Sequence, residues 1–251
     1  MIFDEAYSRL YDSFNLTKDY ESEFQFLVDT LSNLVGRKYQ FTNGLEIGCG
    51  SGSFTKFLDR IGEKLLATDI STTMIDQARK LPLKSTQFQC STVSRQIEGP
   101  ADLDLVASLF HVFSYFTTNE VTDFVNLSTK RLKAKGLLVF DYWDILGLVA
   151  APPTERNRKT EIDGKVFLRR SIPVVKEDQS LVEVCFKFFE LSKDETFEKE
   201  LFSEIHTMHV YNLETIIDLL PGFDFLGSYD LVKQSQYQGI NYGNLLVFRK
   251  I

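Results

Sequence analysis

The chain has few cysteines and fewer cationic than acidic residues, and each shortage excludes a class of protein. Its 251 residues include three cysteines, Cys49, Cys90 and Cys185, too few and too scattered for a disulfide framework. Lysine and arginine number 28 against 35 acidic residues, a net charge of -7, so no overall field attracts nucleic acid or an anionic membrane. These counts favour a reducing, cytoplasmic location and a small-molecule partner.

Export and membrane signals are also lacking. The first residues are acidic at three positions, where a signal peptide would have a positive start and a long apolar run. The longest apolar stretch, 136–153, contains two aspartates and is shorter than the roughly 20 residues of a membrane-spanning helix. No cluster of His, Cys, Asp and Glu has the spacing of metal ligands. We therefore expect no metal, no membrane partner and no nucleic acid, and a homodimer stays open.

Short apolar strands alternate with amphipathic helices along most of the chain. The runs GLEIG, KLLATDI, TQFQCST, DLDLVASLF and GLLVFDYW read as strands. Ser71 is a natural N-cap for one intervening helix, and Thr117 with Glu120 forms a capping box for another. Two later runs, KVFLRRSIPVV and SLVEVCFKFFEL, have no helix between them and read as an antiparallel excursion. The pattern predicts an α/β fold with a mostly parallel sheet, helices on both faces and an antiparallel strand insertion.

This pattern divides the chain into four segments. Residues 1–40 are expected to form an N-terminal helical lid and 41–145 the cofactor-binding core. Residues 146–205 read as the antiparallel, substrate-side insertion, and 206–251 complete the core sheet. In such a fold, the loops that follow the parallel strands meet at one rim, where ligands bind.

The stretch LEIGCGSG places three glycines between a predicted strand and a predicted helix. Glycines at this turn let the backbone approach a ligand more closely than any side chain permits. Gly48, Gly50 and Gly52 give the spacing G-x-G-x-G. A dinucleotide site has G-x-G-x-x-G, and Ser53 occupies its third position. An NAD-dependent oxidoreductase is therefore the weaker alternative.

Two acidic residues flank the glycines. Glu46, two positions before the first glycine, would repel a pyrophosphate and attract a ligand with a cationic amino group and a sulfonium. Asp69, at the end of the next strand, is placed to accept hydrogen bonds from both hydroxyls of a ribose. The pair points to S-adenosylmethionine as the cofactor, with S-adenosylhomocysteine as its product.

Four motifs, LEIGCGSG, LLATDIS, DLDLVASLF and LLVFDYW, resemble the successive motifs of the class I S-adenosylmethionine-dependent methyltransferases. The resemblance covers residues 41–145 and implies a Rossmann-like, seven-stranded sheet whose last strand is antiparallel. It places the glycine turn under the methionine part of the cofactor, and Ile70 and Ser71 beside the adenine. Where the family often has an aspartate after the third strand, this chain has CSTV, so Ser91 or Thr92 substitutes. The expected cofactor-binding residues are Tyr11, Tyr20, Glu46, Gly48, Cys49, Gly50, Asp69, Ile70, Ser71, Met74, Ser91, Thr92, Ser108 and Leu109.

The loop SLFHVFSYFTTNE and the N-terminal segment LYDSFNLTKDYESE are similar to those of bacterial small-molecule methyltransferases. Those enzymes include N-methyltransferases of amino sugars on a nucleotide carrier and relatives that act on surface-polysaccharide precursors. The sequence has neither the Asn/Asp-Pro-Pro-aromatic stretch of adenine methyltransferases nor the Pro-Cys pair of cytosine-5 enzymes. We expect methyl transfer to N or O of a small polar metabolite, a nucleotide-linked sugar or another capsule precursor. A noncatalytic S-adenosylmethionine-binding protein is the alternative.

Catalytic and acceptor-binding residues follow from side-chain chemistry. An oxygen acceptor needs a base, and imidazole has a suitable pKa near neutrality. His111 on the predicted rim and His206 before the closing helix are therefore the expected catalytic residues, against a structural role for either. A basic stretch at 154–170 suits a pyrophosphate, or is simply a solvated surface. The expected substrate-binding residues are Tyr11, His111, Trp143 and Arg169.

Overall fold

A computed structural model describes residues 5–15, 18–95, 97–176, 180–192, 197–239 and 241–251. The helices are α1 Glu5–Tyr11, α2 Tyr20–Val35, α3 Thr55–Leu58, α4 Thr72–Ala78, α5 Thr118–Arg131, α6 Ile145–Ala150 and α7 Leu213–Asp218. The strands are β1 Phe41–Ile47, β2 Gly62–Asp69, β3 Thr86–Cys90, β4 Leu103–Ser108, β5 Leu132–Asp144, β6 Arg156–Ile162, β7 Lys165–Val175, β8 Leu181–Leu191, β9 Glu198–Tyr211, β10 Phe223–Asp230, β11 Ser235–Gln236 and β12 Gly243–Lys250.

Seven strands form the core sheet, in the order β3-β2-β1-β4-β5-β12-β10. Strands β1 to β5 run parallel, and β12 enters antiparallel between β5 and β10. The α/β, Rossmann-like prediction is confirmed. The parallel strands all end at the edge that carries the glycine turn, which is why loops distant in sequence meet there.

Helices cover both faces of this sheet, and residues 137–140 of β5 show why the middle of this strand is an unbroken apolar run. Its alternate residues Leu138 and Phe140 pack on one face with α5 and α7, whereas Leu137 and Val139 pack on the other with α2 and α3. A strand buried on both sides has no solvent face to carry polar residues. Beyond this buried run, the last residues of β5, 141–144, lie at the rim.

The predicted helix caps are present. Ser71 Oγ accepts a hydrogen bond from the Met74 N–H, and Thr117 forms the capping box with Glu120. The apolar spacing in the run SFTKFLDRIG predicts a helix, and α3 is shorter than that run because the glycine turn continues to residue 54. Residues 145–150, for which the sequence predicts a loop, form α6, capped by Asp144.

The insertion is a four-stranded antiparallel sheet in the order β6-β7-β8-β9. Strands β7 and β8 were predicted; β6 and β9 were not, because their residues are largely polar and one face of each is exposed. Strand β9 joins the carboxyl end of β5 in parallel, at Trp143 and Asp144, and runs across the division expected at residue 205. The polar residues 176–179 between the two predicted strands indicate a turn, and they lie mostly outside the described residues. None of the helices in the described ranges is long and apolar enough to span a membrane.

Candidate active site

The turn between β1 and α3 needs glycine for two different reasons. Gly48, Gly50 and Gly52 all have positive φ, at 78°, 56° and 84°, a region that side chains rarely adopt. A Cβ on Gly48 would lie 2.5 Å from Val112, and one on Gly52 would lie 2.7 Å from Leu81, so packing also excludes side chains there. A Cβ on Gly50 would meet no atom within 4 Å. The turn is therefore tight at both ends and open to a ligand at its centre.

Asp69, the last residue of β2, is held against this turn. Its Oδ2 accepts from the Gly50 N–H at 2.8 Å and its Oδ1 from the Ser71 N–H at 2.8 Å. Burial raises the pKa of Asp69 and these backbone bonds oppose the rise. A carboxylate has about four acceptor positions, so two backbone bonds leave it able to accept from a diol.

Glu46 is buried beside the turn, and its side chain is only 3% exposed. Its Oε2 has no hydrogen-bond partner among the described residues. Burial and, less strongly, the charge of Asp69 raise the pKa of Glu46 to about 7, and the side chain of Thr55 opposes the rise. A buried carboxyl oxygen without a partner is costly unless a ligand supplies a donor or a positive charge. Glu46 thus fits a ligand with a cationic group, and the open centre of the glycine turn fits its approach.

A cavity of about 390 Å³ adjoins the turn and extends to the insertion. That size is typical of small-molecule sites, which span roughly 300–1,000 Å³. Its walls come from the N-terminal segment, the ends of β1, β2 and β4, and the insertion strands β7 and β8. Of the residues expected at the site, the cavity is lined by Tyr11, Tyr20, Glu46, Gly48, Cys49, Gly50, Asp69, Ile70, Met74, Ser91, Thr92, Leu109 and Arg169.

Two expected cofactor residues lie behind the lining. Ser71 caps α4 through its hydroxyl, and its N–H donates to Asp69. Ser108 is fully buried at the end of β4, where its hydroxyl donates to the Ile47 carbonyl at 3.2 Å. Both side chains support the walls of the site. Their assignment to direct cofactor binding stays a prediction.

His111 and Trp143 lie at the rim, outside the cavity lining. The His111 N–H donates to both carboxylate oxygens of Asp141, at 2.9 and 3.0 Å, and its Nδ1 lies 2.9 Å from Oδ2. Trp143 is 7% exposed and packs against Tyr242, with ring centroids 4.5 Å apart. Asp141 thus holds the backbone of His111 and lies beside its imidazole, and Tyr242 packs against the indole of Trp143. The acceptor roles expected of both residues stay predictions.

Arg169, from the insertion strand β7, lines the cavity together with several tyrosines. Arg169 is 8% exposed, and its guanidinium carbon lies 5.3 and 5.5 Å from the ring centroids of Phe14 and Phe186. Its Nε has no hydrogen-bond partner among the described residues. Burial lowers the pKa of Arg169, and Tyr7 opposes this. Among the described residues no carboxylate forms an ion pair with Arg169, and a buried cation of this kind is suited to an anionic ligand.

His206 lies one layer behind the cavity. It is fully buried, and its two ring nitrogens contact Tyr115 and Glu204. Sequence reasoning missed Tyr115, Phe186 and Glu204. Tyr115 and Phe186 line the cavity, whereas the alternation of buried residues along β9 is the signal that could have placed Glu204 beside His206.

Comparison with known proteins agrees with this geometry. Residues 45–136 match the family model described as "Methyltransferase domain". No curated protein matches the chain. Solved structures that do match include an S-adenosylmethionine-dependent methyltransferase from Clostridium acetobutylicum, with 20% identity, 98% of each chain covered and a TM-score of 0.73.

Two further structures come from actinobacterial sources. The sugar N-methyltransferase KedS8 from Streptoalloteichus is 18% identical over 97% of this chain and 92% of its own, with a TM-score of 0.77. DesVI from Streptomyces venezuelae is 19% identical over the whole of both chains, with a TM-score of 0.74. At such identities the likeness shows the fold, and the family match adds the type of domain. Residues 45–136 thus match a methyltransferase domain, and the fold of the chain is that of solved S-adenosylmethionine-dependent methyltransferases.

Proposed function

We propose that the chain transfers the methyl group of S-adenosylmethionine to a nitrogen or oxygen of a small, anionic metabolite, a nucleotide-linked sugar or another surface-polysaccharide precursor. The observation that carries this proposal is the opposite charge of the residues that the core and the insertion contribute to the cavity. Glu46 and Asp69 line it from the core strands β1 and β2, and Arg169 lines it from the insertion strand β7. Such a lining favours a cationic cofactor beside the core strands and an anionic acceptor beside Arg169.

The two acidic residues of the cavity would bind the cofactor. Glu46 would receive the cationic amino group, Asp69 the ribose hydroxyls, and Ile70 with Ser91 or Thr92 the adenine. Bound S-adenosylmethionine supplies a methyl group on a cationic sulfur, already activated for displacement. The chain contributes by aligning the acceptor and excluding water, and the apolar wall of Leu109, Phe110 and Met74 suits that task.

The acceptor half depends on Arg169. A guanidinium presents its donors as a fork that matches phosphate and carboxylate groups. KedS8, whose fold this chain shares, is a sugar N-methyltransferase. The free thiols of Cys49 and Cys185 also fit the reducing cytoplasm, where we place the reaction. A homodimer stays open, and a measurement of mass in solution would test it.

A mass-shift screen tests the acceptor class. Purified protein is incubated with S-adenosylmethionine and pools of nucleotide sugars, sugar phosphates and neutral sugars, and products heavier by one methyl group are sought. We expect methylation within the phosphorylated pools. Methylation of neutral sugars alone would contradict the anionic acceptor, and no methylation with normal cofactor binding would favour a noncatalytic binding protein.

Substitution of the cavity arginine tests how the acceptor is bound. We expect Arg169→Met to raise KM for the acceptor about 10-fold or more, since hydrogen bonds to charged groups contribute roughly 1.5–3 kcal/mol. Affinity for S-adenosylmethionine should stay unchanged in the same variant. Arg170→Met is the matched control, because Arg170 pairs with Glu198 at 3.0 Å on the other face of β7. Equal effects of the two substitutions would contradict the assignment.

A further inference from the structure

Strand β9 carries a polar pair on the face that packs toward the cavity. Side chains alternate along a strand, so Glu204 and His206 share one face and His209 lies on the other. His206 is 0% exposed and Glu204 is 9% exposed. Buried polar groups of this kind need a reason to be retained, because an apolar pair would be cheaper to bury.

The pair continues a chain of hydrogen bonds that begins at the cavity wall. Tyr115, in the short 3-10 helix Val112–Tyr115 after β4, lines the cavity. Its hydroxyl lies 2.8 Å from His206 Nδ1, and His206 Nε2 lies 3.1 Å from Glu204 Oε2. Three side chains from two distant segments therefore connect the cavity to a buried carboxylate.

The partners of the imidazole decide where its proton is. An ionised carboxylate can only accept, so the proton of a neutral His206 resides on Nε2, facing Glu204. Nδ1 then carries the lone pair and accepts from the Tyr115 hydroxyl. A phenol oxygen that donates its proton in this way can still accept one from a ligand.

The surroundings keep the imidazole neutral before reaction. Burial lowers the pKa of His206, Glu204 opposes the shift, and the nearby charge of Arg169 adds to it. Among the described residues, the titratable or charged groups facing the ring are Tyr7, Tyr115, Arg169 and Glu204. A neutral ring is ready to receive a proton, and the adjacent carboxylate stabilises the imidazolium that results.

We propose that Tyr115 is a catalytic residue that accepts the proton of the methyl acceptor, and that His206 and Glu204 form a proton relay behind it. The inference rests on the proposed function. As the acceptor atom bonds to the methyl carbon, the carbon–sulfur bond breaks with its electron pair going to sulfur, which leaves a neutral thioether. The acceptor proton passes to Tyr115 Oη, the hydroxyl proton of Tyr115 passes to His206 Nδ1, and Glu204 holds the imidazolium through Nε2–H.

The relay assigns different roles to the two histidines that the sequence predicts as catalytic. His206 reaches the cavity through Tyr115 and acts as a positioning and proton-storing residue. His111 lies at the rim with its imidazole against Asp141. The relay therefore makes turnover sensitive to Tyr115 and His206.

The tautomer of His206 in the free protein can be measured without any methyl acceptor. The chain has three histidines, so nitrogen-15 labelling of histidine gives few signals, and His206→Asn assigns the relevant ones. At pH 7 we expect His206 as the neutral Nε2–H tautomer. An Nδ1–H tautomer or an imidazolium at that pH would overturn the relay.

Kinetics test the function of the relay with an acceptor from the mass-shift screen. We expect Tyr115→Phe and His206→Asn to lower kcat about 100-fold or more, and Glu204→Gln about 10-fold, because positioned proton transfer contributes 10²–10⁴. KM and S-adenosylmethionine affinity should change little, and the pH dependence of kcat due to His206 should vanish in His206→Asn. His209→Asn, on the opposite face of β9, is the matched control.

The outcomes separate the relay from a structural role and from the proposed function. A lowered Tm with near-normal kcat and an unaltered pH profile in both Tyr115→Phe and His206→Asn would overturn the relay, since these side chains would then only stabilise the insertion. If the wild-type protein transferred no methyl group to any acceptor, the proposed function would be at fault. The tautomer experiment could still overturn the relay on its own, because it needs no acceptor.

Discussion

The carboxyl group of Glu46 gives the sharpest test of how the cofactor is bound. Its pKa is raised to about 7 by burial, so it is largely protonated in slightly acidic solution. A cationic ligand needs the ionised form, and binding must therefore expel the proton. We expect S-adenosylmethionine to release about three-quarters of a proton from Glu46 at pH 6.5 and about one-tenth at pH 8.

The same pKa predicts the change in affinity. The ionised fraction of such a carboxyl rises about tenfold between pH 6 and pH 8, so the affinity for S-adenosylmethionine should rise by about the same factor. In the absence of ligand, the contribution of Glu46 to the free energy of unfolding should instead fall as pH rises. Because the pKa of Glu46 exceeds its ordinary value of 4.5, the free protein loses stability as pH rises from there to about 7. The gain in Tm on adding cofactor should therefore be larger at pH 8 than at pH 6.

Calorimetry in two buffers of different ionisation enthalpy measures the released proton directly. Glu46→Gln should abolish the release and weaken binding at pH 8 by about 10- to 100-fold, the value of a hydrogen bond to a charged group. Glu63→Gln, at the exposed start of β2, serves as the control and should behave as wild type. Equal proton release by Glu46→Gln and the wild-type protein would refute the assignment of Glu46 to the cationic group.

Four further substitutions test the remaining parts of the structure. Asp69→Ala should weaken S-adenosylmethionine binding about 10-fold or more in calorimetry, because it removes the acceptor for the ribose hydroxyls; unchanged affinity in a folded variant would refute that role. Gly50→Val should prevent binding, since φ is 56° there and the side chain would project toward the ligand; an affinity near that of wild type would show that the cofactor lies elsewhere. His111→Ala should leave cofactor affinity intact and, if His111 is the base expected from the sequence, lower turnover; wild-type turnover combined with an inactive Tyr115→Phe would favour the relay. Thr117→Ala should cost about 1 kcal/mol of stability in chemical denaturation through loss of the capping box, and no change would show that the helix end does not depend on it.

Local sequence signals were sufficient for the core of the fold. Each of these signals lies within a few residues: the apolar run of β5, the periodicity of the helices that cover it, the caps at Ser71 and Thr117, and the glycine turn. Such features are readable because each depends on backbone preferences and on which face a side chain must bury. The carboxyl-end edge of a parallel sheet then brings Glu46 and Asp69 together in any chain with that order of elements.

The strands of the insertion were harder to predict from the sequence, for a physical reason. Strands β6 and β9 owe their conformation to pairing with β7 and β8, and the many polar residues on their exposed faces hide the alternation. Contacts between segments 91 residues apart, such as Tyr115 with His206, cannot be read from either segment. The sequence by itself determined the sheet, the glycine turn and its two acidic residues, because those follow from local chemistry and the strand order. Only the tertiary structure showed that His206 is connected to the cavity through Tyr115 and that Arg169 lines the same cavity as Glu46 and Asp69, because these contacts depend on how the insertion packs against the core.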